Sequence, residues 1–370
     1  MNKVKNIIMT VIFTVFIFSV SAACYFKPDT EFSLSERRPL AKMPELSVAT
    51  VTSGDFMKNF EVYTADQFPA RDFVRGIKTI FSERILMQAE NNGVFRVEGH
   101  LSKLDDKEDE NMLNYAAEIF KNIFEKNIKD KNANIYFSIV PDKNFYLANK
   151  NGFPSLDYEN LIRKMRDKTS YMKYIDITKK LSLKDYYSTD THWKQEEITD
   201  IAQYIASEMG TDVKSSYTIN TLSNPFYGVY SGQYGLPVKP DSIKYLTNDT
   251  LDNCTVTYYN NMGIPVKGDM YNMEKAQGKD PYEMFLSGSE SIVIIENPNA
   301  KTDKELIIFR DSFGSSLAPL FAEGYKKITV FDIRYMLSSS YVGAFADFEN
   351  SDVLFIYSTA LLNNSTALKP

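Results

Sequence analysis

Apolar residues along this chain recur in two patterns, short continuous runs and helical spacings, and the two patterns alternate. The continuous runs have the length of buried strands. They cover 134–140, 305–309, 327–331 and 352–357, with further strand-like stretches at 94–101, 172–177 and 292–295. Helical spacing marks 54–86, interrupted at Pro69, and then 113–123, 158–168 and 198–209. Strands that alternate with helices predict an α/β fold, a parallel sheet flanked by helices.

The segment 211–304 departs from this alternation. Ser, Asn, Thr, Tyr and Gly accumulate there, above all in 226–235, and 255–259 alternates like a strand. We interpret the segment as a variable insertion, rich in β-strands or loops, within one α/β domain that covers 54–370. Its tyrosines suit stacking on sugar rings and an ordinary β surface equally well.

The N-terminus has the pattern of an export signal. Lys3 and Lys5 precede an apolar run over 7–20, and the small residues Ser21, Ala22 and Ala23 follow. We expect residues 1–25 to be a signal peptide or a signal anchor, and Cys24 leaves lipidation as a third reading. In all three cases we expect the rest of the chain to lie outside the cytoplasm, either secreted or held at the outer face of the membrane. The polar, proline-containing stretch 26–53 is predicted to be an extended linker that lets the body stand off the bilayer.

Composition indicates a globular protein and excludes several ligand classes. A hydrophobic content of 44% with 24% charged residues suits a packed core. The net charge of −6 provides no basic surface, so we do not expect a nucleic-acid partner. Without a glycine-rich nucleotide fingerprint we expect no cofactor. Two cysteines, Cys24 and Cys254, and two widely separated histidines predict neither a disulfide framework nor a metal site.

Candidate chemistry begins at Asp190-Thr191-His192-Trp193, which contains one of the two histidines and the only tryptophan. A carboxylate two residues before a histidine can accept a ring N–H and fix the tautomer, as a general base requires. Taken alone, such a pair more often belongs to an exposed loop or a helix cap. A functional interpretation therefore needs a partner elsewhere in the chain.

That partner is Ser312, in the stretch Arg310-Asp311-Ser312-Phe313-Gly314. The stretch follows the strand predicted at 305–309 and precedes a predicted helix. A serine on a sharp turn between strand and helix exposes a nucleophilic hydroxyl and aims helix N–H groups at a developing oxyanion. The alternative is that Ser312 only caps the helix. With Asp190 and His192, Ser312 completes a set of nucleophile, base and orienting group.

Other candidates follow strand ends. Lys143 comes after the strand at 134–140, where it either contacts an anionic or hydroxyl-rich substrate or forms a solvated turn. Arg334 and Tyr335 follow the strand at 327–331, and Arg334 either contacts substrate or pairs with a core carboxylate. His100, after a turn glycine, is expected to serve packing or hydrogen bonding.

These motifs resemble a known family. Asp190-Thr191-His192-Trp193 looks like the signature of the DHHW proteins, with Thr191 where the name has its first histidine. Together with the stretch 310–314 it resembles the SGNH-hydrolase-like acetyltransferases of alginate O-acetylation. Supporting pieces are 67–71 and 140–143, and the resemblance is weak across 211–304. It implies an SGNH-like sheet in which the Asp-x-His pair precedes the serine, an order permuted relative to ordinary SGNH hydrolases.

The resemblance also implies roles. Ser312 would accept the acyl group, His192 would be its general base and Asp190 would orient the base. The backbone N–H groups of Ser312 and Phe313 are expected in the oxyanion hole. Trp193 and Phe313 are further candidates for substrate contact. Family members work with a membrane-bound O-acyltransferase that supplies the acetyl group, so we expect such a partner.

The leading hypothesis from the sequence is therefore acetyl transfer onto a hydroxyl of an extracytoplasmic polysaccharide through an acyl-serine intermediate. One alternative is a carbohydrate esterase that uses the same three residues, since only the access of water or sugar separates hydrolysis from transfer. A second is a non-catalytic carbohydrate-binding protein of the cell surface, in which Trp193 packs in the core and His192 is hydrogen-bonded there.

Overall fold

The strand-like runs of the sequence form the centre of a mixed sheet in the computed structural model of the chain, which describes residues 2–33, 35–213, 216–260 and 263–370. The helices are α1 Asn2–Phe26, α2 Val48–Thr52, α3 Asp55–Asp66, α4 Arg71–Arg84, α5 Glu110–Ile123, α6 Asn144–Leu147, α7 Tyr158–Lys168, α8 Thr199–Glu208, α9 Val229–Tyr234, α10 Asp249–Asn253, α11 Met273–Ala276, α12 Phe313–Leu317 and α13 Thr359–Leu362. The strands are β1 Phe32–Ser33, β2 Arg38–Pro39, β3 Val94–Val97, β4 His100–Lys103, β5 Asn134–Val140, β6 Lys173–Tyr174, β7 Thr218–Thr221, β8 Lys244–Thr247, β9 Thr255–Tyr259, β10 Pro265–Gly268, β11 Ile292–Glu296, β12 Glu305–Arg310, β13 Lys327–Phe331 and β14 Ser351–Ser358.

The main sheet has the strand order β10-β9-β11-β13-β12-β14-β5-β6. From β13 to β6 all neighbours are parallel, so the predicted α/β fold with a parallel sheet is confirmed. Phe309 of β12 lies opposite Phe331 and Phe355 in its two neighbours, and the rings stack at centroid distances of 5.3 and 4.4 Å. This register aligns the carboxyl ends of the parallel strands along one edge.

Part of the segment 211–304 extends this sheet. Strands β9, β10 and β11 add to it with antiparallel pairing, and β11 joins the parallel part through β13. Strands β7 and β8 form a separate two-stranded sheet. The region is therefore rich in short strands and loops, as its composition predicts, and it is continuous with the central sheet.

Side chains of β12 alternate between two apolar cores, one on each face of the sheet. Leu306 and Ile308 pack with α8 and α12 on one face, whereas Ile307 and Phe309 pack with α5 and α7 on the other. Alternation of this kind follows from the two-residue period of a strand. A sheet covered on both faces explains why its central strands are continuous apolar runs.

The chain divides into two compact units, one of residues 1–92 with 231–238 and one of residues 93–230 with 239–370. The predicted boundary near residue 54 therefore falls inside the first unit. The cause is the buried Asp66 carboxylate, which accepts from the Arg38 guanidinium at 2.5 and 2.8 Å and from the Ala41 N–H at 3.0 Å. These bonds attach part of the predicted linker to α3. The helix over 3–26 is long and apolar enough to cross a membrane.

Candidate active site

Ser312 lies at the carboxyl end of β12, two residues after the strand, and immediately precedes α12. Its Oγ lies 2.7 Å from Nε2 of His192, although 120 positions separate the two residues. The other ring nitrogen, Nδ1, lies 2.6 Å from Oδ1 of Asp190. The structure thus brings the three residues together in one hydrogen-bonded series from carboxylate to imidazole to hydroxyl.

The Asp190 carboxylate is completely buried and is held by further donors. Oδ1 also accepts from the His192 backbone N–H at 3.1 Å, and Oδ2 accepts from the Val229 N–H at 2.9 Å. A carboxylate fixed against Nδ1 places the proton on that nitrogen, so Nε2 is left as the acceptor that faces Ser312. This is the tautomer that a general base requires.

Aromatic rings fix the orientation of the imidazole. Tyr282 stacks on His192 at a centroid distance of 3.9 Å and an angle of 8°, and Phe313 lies 5.2 Å away on a tilted plane. The Tyr282 hydroxyl is hydrogen-bonded to Ser316 Oγ of α12 at 2.9 Å. Tyr282 therefore links the His192 ring to α12, the helix that follows Ser312.

Trp193 is fully buried and does not face solvent. Its indole N–H donates to the Phe313 carbonyl at 3.0 Å and to Ser316 Oγ at 2.9 Å. The Gln195 amide donates to the Ser316 carbonyl at 2.9 Å. These bonds tie the loop that bears His192 to α12. Trp193 and the largely buried Phe313 side chain thus position the site.

Two residues of the segment 211–304 support the same loop. The Asp241 carboxylate accepts from the backbone N–H groups of Ser188 and Thr189, at 2.9 and 2.7 Å, and from the Thr189 hydroxyl at 2.7 Å. Gly228 packs so closely that a Cβ added there would lie 2.4 Å from Cα of Asp190, so only glycine fits. Sequence reasoning missed both residues, because an aspartate or a glycine in a polar loop has no distinguishing spacing.

The N–H groups near Ser312 differ in their availability. The Phe313 N–H donates to Asp311 Oδ1 at 3.0 Å, and Asp311 Oδ2 accepts from the Ser358 N–H at 2.8 Å. Within the described ranges the Ser312 N–H has no acceptor. Of the two backbone donors predicted for the oxyanion hole, the structure leaves the Ser312 N–H free. Gly314 is required nearby because a Cβ there would lie 2.5 Å from Arg310 Cβ.

Lys143 is buried below the loop and has no access to solvent. Its ammonium donates to the backbone carbonyls of Leu101, Tyr187 and Ser188, the last two at 3.0 and 3.3 Å. Burial lowers the pKa of Lys143 to about 7, although the Asp190 and Asp241 carboxylates act in the opposite direction. Through these hydrogen bonds Lys143 holds the loop that precedes Asp190 in place.

Arg334 and Tyr335 lie just beyond the carboxyl end of β13, the neighbour of β12. The Arg334 guanidinium donates to both oxygens of the buried Asp332 carboxylate, at 2.6 and 2.8 Å, and lies 5.3 Å from the Tyr335 ring centroid. Arg310 shares the same carboxylate at 2.8 Å. Arg334 is thus paired, whereas Tyr335 is 51% exposed.

His100 lies in β4, next to the Tyr187 backbone and close to Lys143, and its Nδ1 is buried without a partner in the described part of the chain. Burial, followed by the Lys143 charge, lowers the pKa of His100 to about 4. The residue therefore remains neutral at pH 7. Among the described residues there is no group of His, Cys, Asp and Glu side chains arranged for a metal ion.

The half-buried, neutral His100 predicts a pH dependence of stability. Its pKa is about 4 in the folded chain against 6.5 for the ordinary side chain, so the unfolded state binds more protons between these values. Stability present above pH 6.5 should be lost as the pH falls toward 4, by about 2 kcal/mol after allowing for partial solvent access. Urea unfolding should be measured at both ends of this window. Between them, His100→Gln should lose less of its free energy of unfolding than the unchanged protein does. Equal losses would contradict the prediction.

Comparison with solved structures shows the fold. A DHHW family protein from Eubacterium siraeum is 23% identical with a TM-score of 0.59, and the match covers 75% of this chain and 94% of that one. Bacillus cereus PatB1, solved with a sulfonyl adduct, is 19% identical with a TM-score of 0.56, covering 73% and 95%. The O-acetyltransferase domain of Pseudomonas putida AlgJ matches more weakly, at 12% identity and a TM-score of 0.42, covering 73% and 92%. No protein-family model and no curated protein matches the chain. The predicted resemblance to a DHHW protein is confirmed at the level of the fold.

Proposed function

We propose that this chain is an extracytoplasmic O-acetyltransferase that forms an acetyl-Ser312 intermediate and passes the acetyl group to a hydroxyl of a polysaccharide. The observation that carries the proposal is the hydrogen-bonded series from Asp190 through His192 to Ser312, with distances of 2.6 and 2.7 Å. This series has the parts of a nucleophile, its base and an orienting carboxylate within hydrogen-bond reach.

The proposed reaction has two balanced halves. In the first, Ser312 Oγ attacks the carbonyl carbon of an acetyl ester while His192 Nε2 takes the hydroxyl proton. The tetrahedral oxyanion is stabilised in part by the Ser312 N–H, and its collapse breaks the ester bond as His192 returns the proton to the leaving oxygen. In the second half, His192 takes a proton from the acceptor hydroxyl, whose oxygen attacks acetyl-Ser312, and the proton returns to Ser312 Oγ.

Location and partner follow from the same proposal. An apolar helix over 3–26 fits an export signal or an anchor, which would hold the body on the outer side of the membrane. Acetyl donors made in the cytoplasm would then have to cross the bilayer, so we propose a membrane-bound O-acyltransferase as the immediate donor. The exposed ring of Tyr335, at the same edge of the sheet, offers a surface on which a sugar can stack.

The test is to incubate the protein with an activated acetyl ester and to measure its intact mass. We expect one added acetyl group, which Ser312→Ala lacks. The matched control is Ser223→Ala, because Ser223 is an exposed serine in a loop and its loss should leave labelling unchanged. Since PatB1 carries a sulfonyl adduct, a sulfonyl fluoride is a second probe that should label the same position. Absence of labelling in the unchanged protein would overturn the intermediate.

A chase separates transfer from hydrolysis. Acetyl-enzyme freed of donor is mixed with buffer alone or with soluble oligosaccharides, and the products are analysed by mass spectrometry. Acetylated oligosaccharide and slow loss in buffer support the transferase. Rapid release of acetate in both samples, with no acetylated sugar, would support the esterase in place of the transferase.

A further inference from the structure

Helix α4 has its apolar residues on the outside of the protein. Phe73, Ile77, Ile80 and Phe81 are between 46% and 71% exposed. The last three lie four, seven and eight residues after Phe73, which places all four on one face of the helix. The residues that α4 buries are the polar Thr79 and Ser82. This is the reverse of the pattern of a helix that packs on a core in water.

The polar face of α4 is fixed by hydrogen bonds within the first unit. The Thr79 hydroxyl donates to the carbonyls of Arg75 and Tyr234, at 2.9 and 3.0 Å. The buried Asn91 amide donates to Thr79 Oγ1 and to the Tyr234 carbonyl, both at 2.8 Å. Rotation of the helix that would bury its apolar face would break this buried network. The apolar face is therefore held away from the core of the first unit, and contiguous exposed apolar surface of this kind marks an interaction site.

The position of α4 relative to α1 indicates what covers it. The chain that leaves α1 is tied at once to Gln67, since Lys27 Nζ donates to the Gln67 carbonyl at 3.3 Å and the Thr30 N–H donates to Gln67 Oε1 at 2.9 Å. The Tyr63 hydroxyl donates to Asp29 at 2.9 Å. The four residues from Gln67 to the start of α4 span at most about 14 Å. The first turn of α4 thus stays close to the end of α1.

We propose that the apolar face of α4 is buried in the lipid interface of the membrane that α1 enters. The proposal rests on the membrane location given under the proposed function and is independent of the chemistry at Ser312. Helices that lie in the interface bury an apolar face below the headgroups and keep cations at its border. On α4 the exposed Lys78 lies beside the apolar face and donates to Asn92 Oδ1 at 2.7 Å, and the exposed Arg84 is the last residue of the helix. Both cations can contact lipid phosphates. The linker would then hold the first unit on the bilayer.

The test places a fluorescent reporter on this face in the full chain. Phe81→Trp is prepared in nanodiscs of phosphatidylcholine and phosphatidylglycerol, with and without bromine on the acyl chains. Because Trp193 is buried in the second unit, the unchanged protein gives the background. We expect the bromine to cause a loss of emission from Phe81→Trp beyond that background, together with a blue shift in plain lipid.

Variants of the neighbouring positions identify the cause of the quenching. Phe73→Asp with Ile77→Asp, made in the Phe81→Trp chain, should lose the added quenching, whereas the matched pair Phe73→Leu with Ile77→Leu should retain it. Circular dichroism and acetyl labelling of Ser312 check that each chain is folded. Absence of added quenching in Phe81→Trp would overturn the proposal. The face would then be covered by a second copy of the chain, which would be seen as two chains per disc, or by water. Since labelling of Ser312 is read separately, failure here leaves the proposed function standing.

Discussion

His192→Gln should lower the rate at which Ser312 is acylated by about 10⁴-fold or more, a loss typical of removing the base of a serine triad. An amide side chain still forms hydrogen bonds, but it cannot take the Ser312 proton as Oγ attacks. Asp190→Asn should cost about 10⁴-fold as well, because an amide N–H facing Nδ1 favours the wrong tautomer. The measurement is the rate of the acetyl mass increase under single-turnover conditions, together with the thermal midpoint of each variant.

The matched control for these variants lies between them in the chain. Thr191→Ser keeps the hydroxyl that hydrogen-bonds Tyr230 and should change the rate by only a few-fold. This position is also where the sequence departs from the DHHW pattern, so the control tests whether that departure matters. If His192→Gln retained acylation within tenfold of the unchanged protein, His192 would not be the base.

The central strands and the meeting of Asp190, His192 and Ser312 could be predicted from the sequence for a physical reason. A strand buried on both faces must be apolar throughout, so β5, β12, β13 and β14 appear as continuous runs. Reactive side chains follow strand ends, and His192 and Ser312 carry chemistry that few residue types can provide. The antiparallel addition of β9, β10 and β11 could not be predicted, because strand direction depends on contacts between distant segments.

The parts of the site that the sequence did not predict all lie in the segment 211–304. It provides Tyr282 stacked on the His192 ring, Asp241 bonded to the loop before Asp190, and Gly228 against the Asp190 backbone. None of these contacts requires a recognisable sequence motif, because each depends on how distant segments pack together. The segment 211–304 therefore holds His192 and Asp190 in place.

Asp332→Ala should lower the free energy of unfolding by about 3–5 kcal/mol, the cost of leaving a buried charge without its partner. Asp332 is fully buried and pairs with Arg310, whose side chain is 1% exposed, at 2.8 Å. Burial lowers the pKa of Arg310 and the Asp332 charge opposes that shift, but guanidinium remains protonated in proteins. Without the carboxylate its charge would keep only the Gly288 and Asp311 carbonyls as acceptors and would lie beside the Arg334 charge with no counter-ion from Asp332. Urea unfolding followed by circular dichroism measures the loss.

Two further variants distinguish an unpaired charge from a cavity as the cause of that loss. Arg334→Gln, which removes the more exposed partner of Asp332, should cost less than Asp332→Ala, because Arg310 still pairs with the carboxylate. The double variant Arg310→Met with Asp332→Leu removes both buried charges and should recover much of the stability lost in Asp332→Ala. If the double variant were as unstable as the sum of its single changes, the unpaired charge would not be the cause, and lost packing beside Ser312 would explain the effect instead.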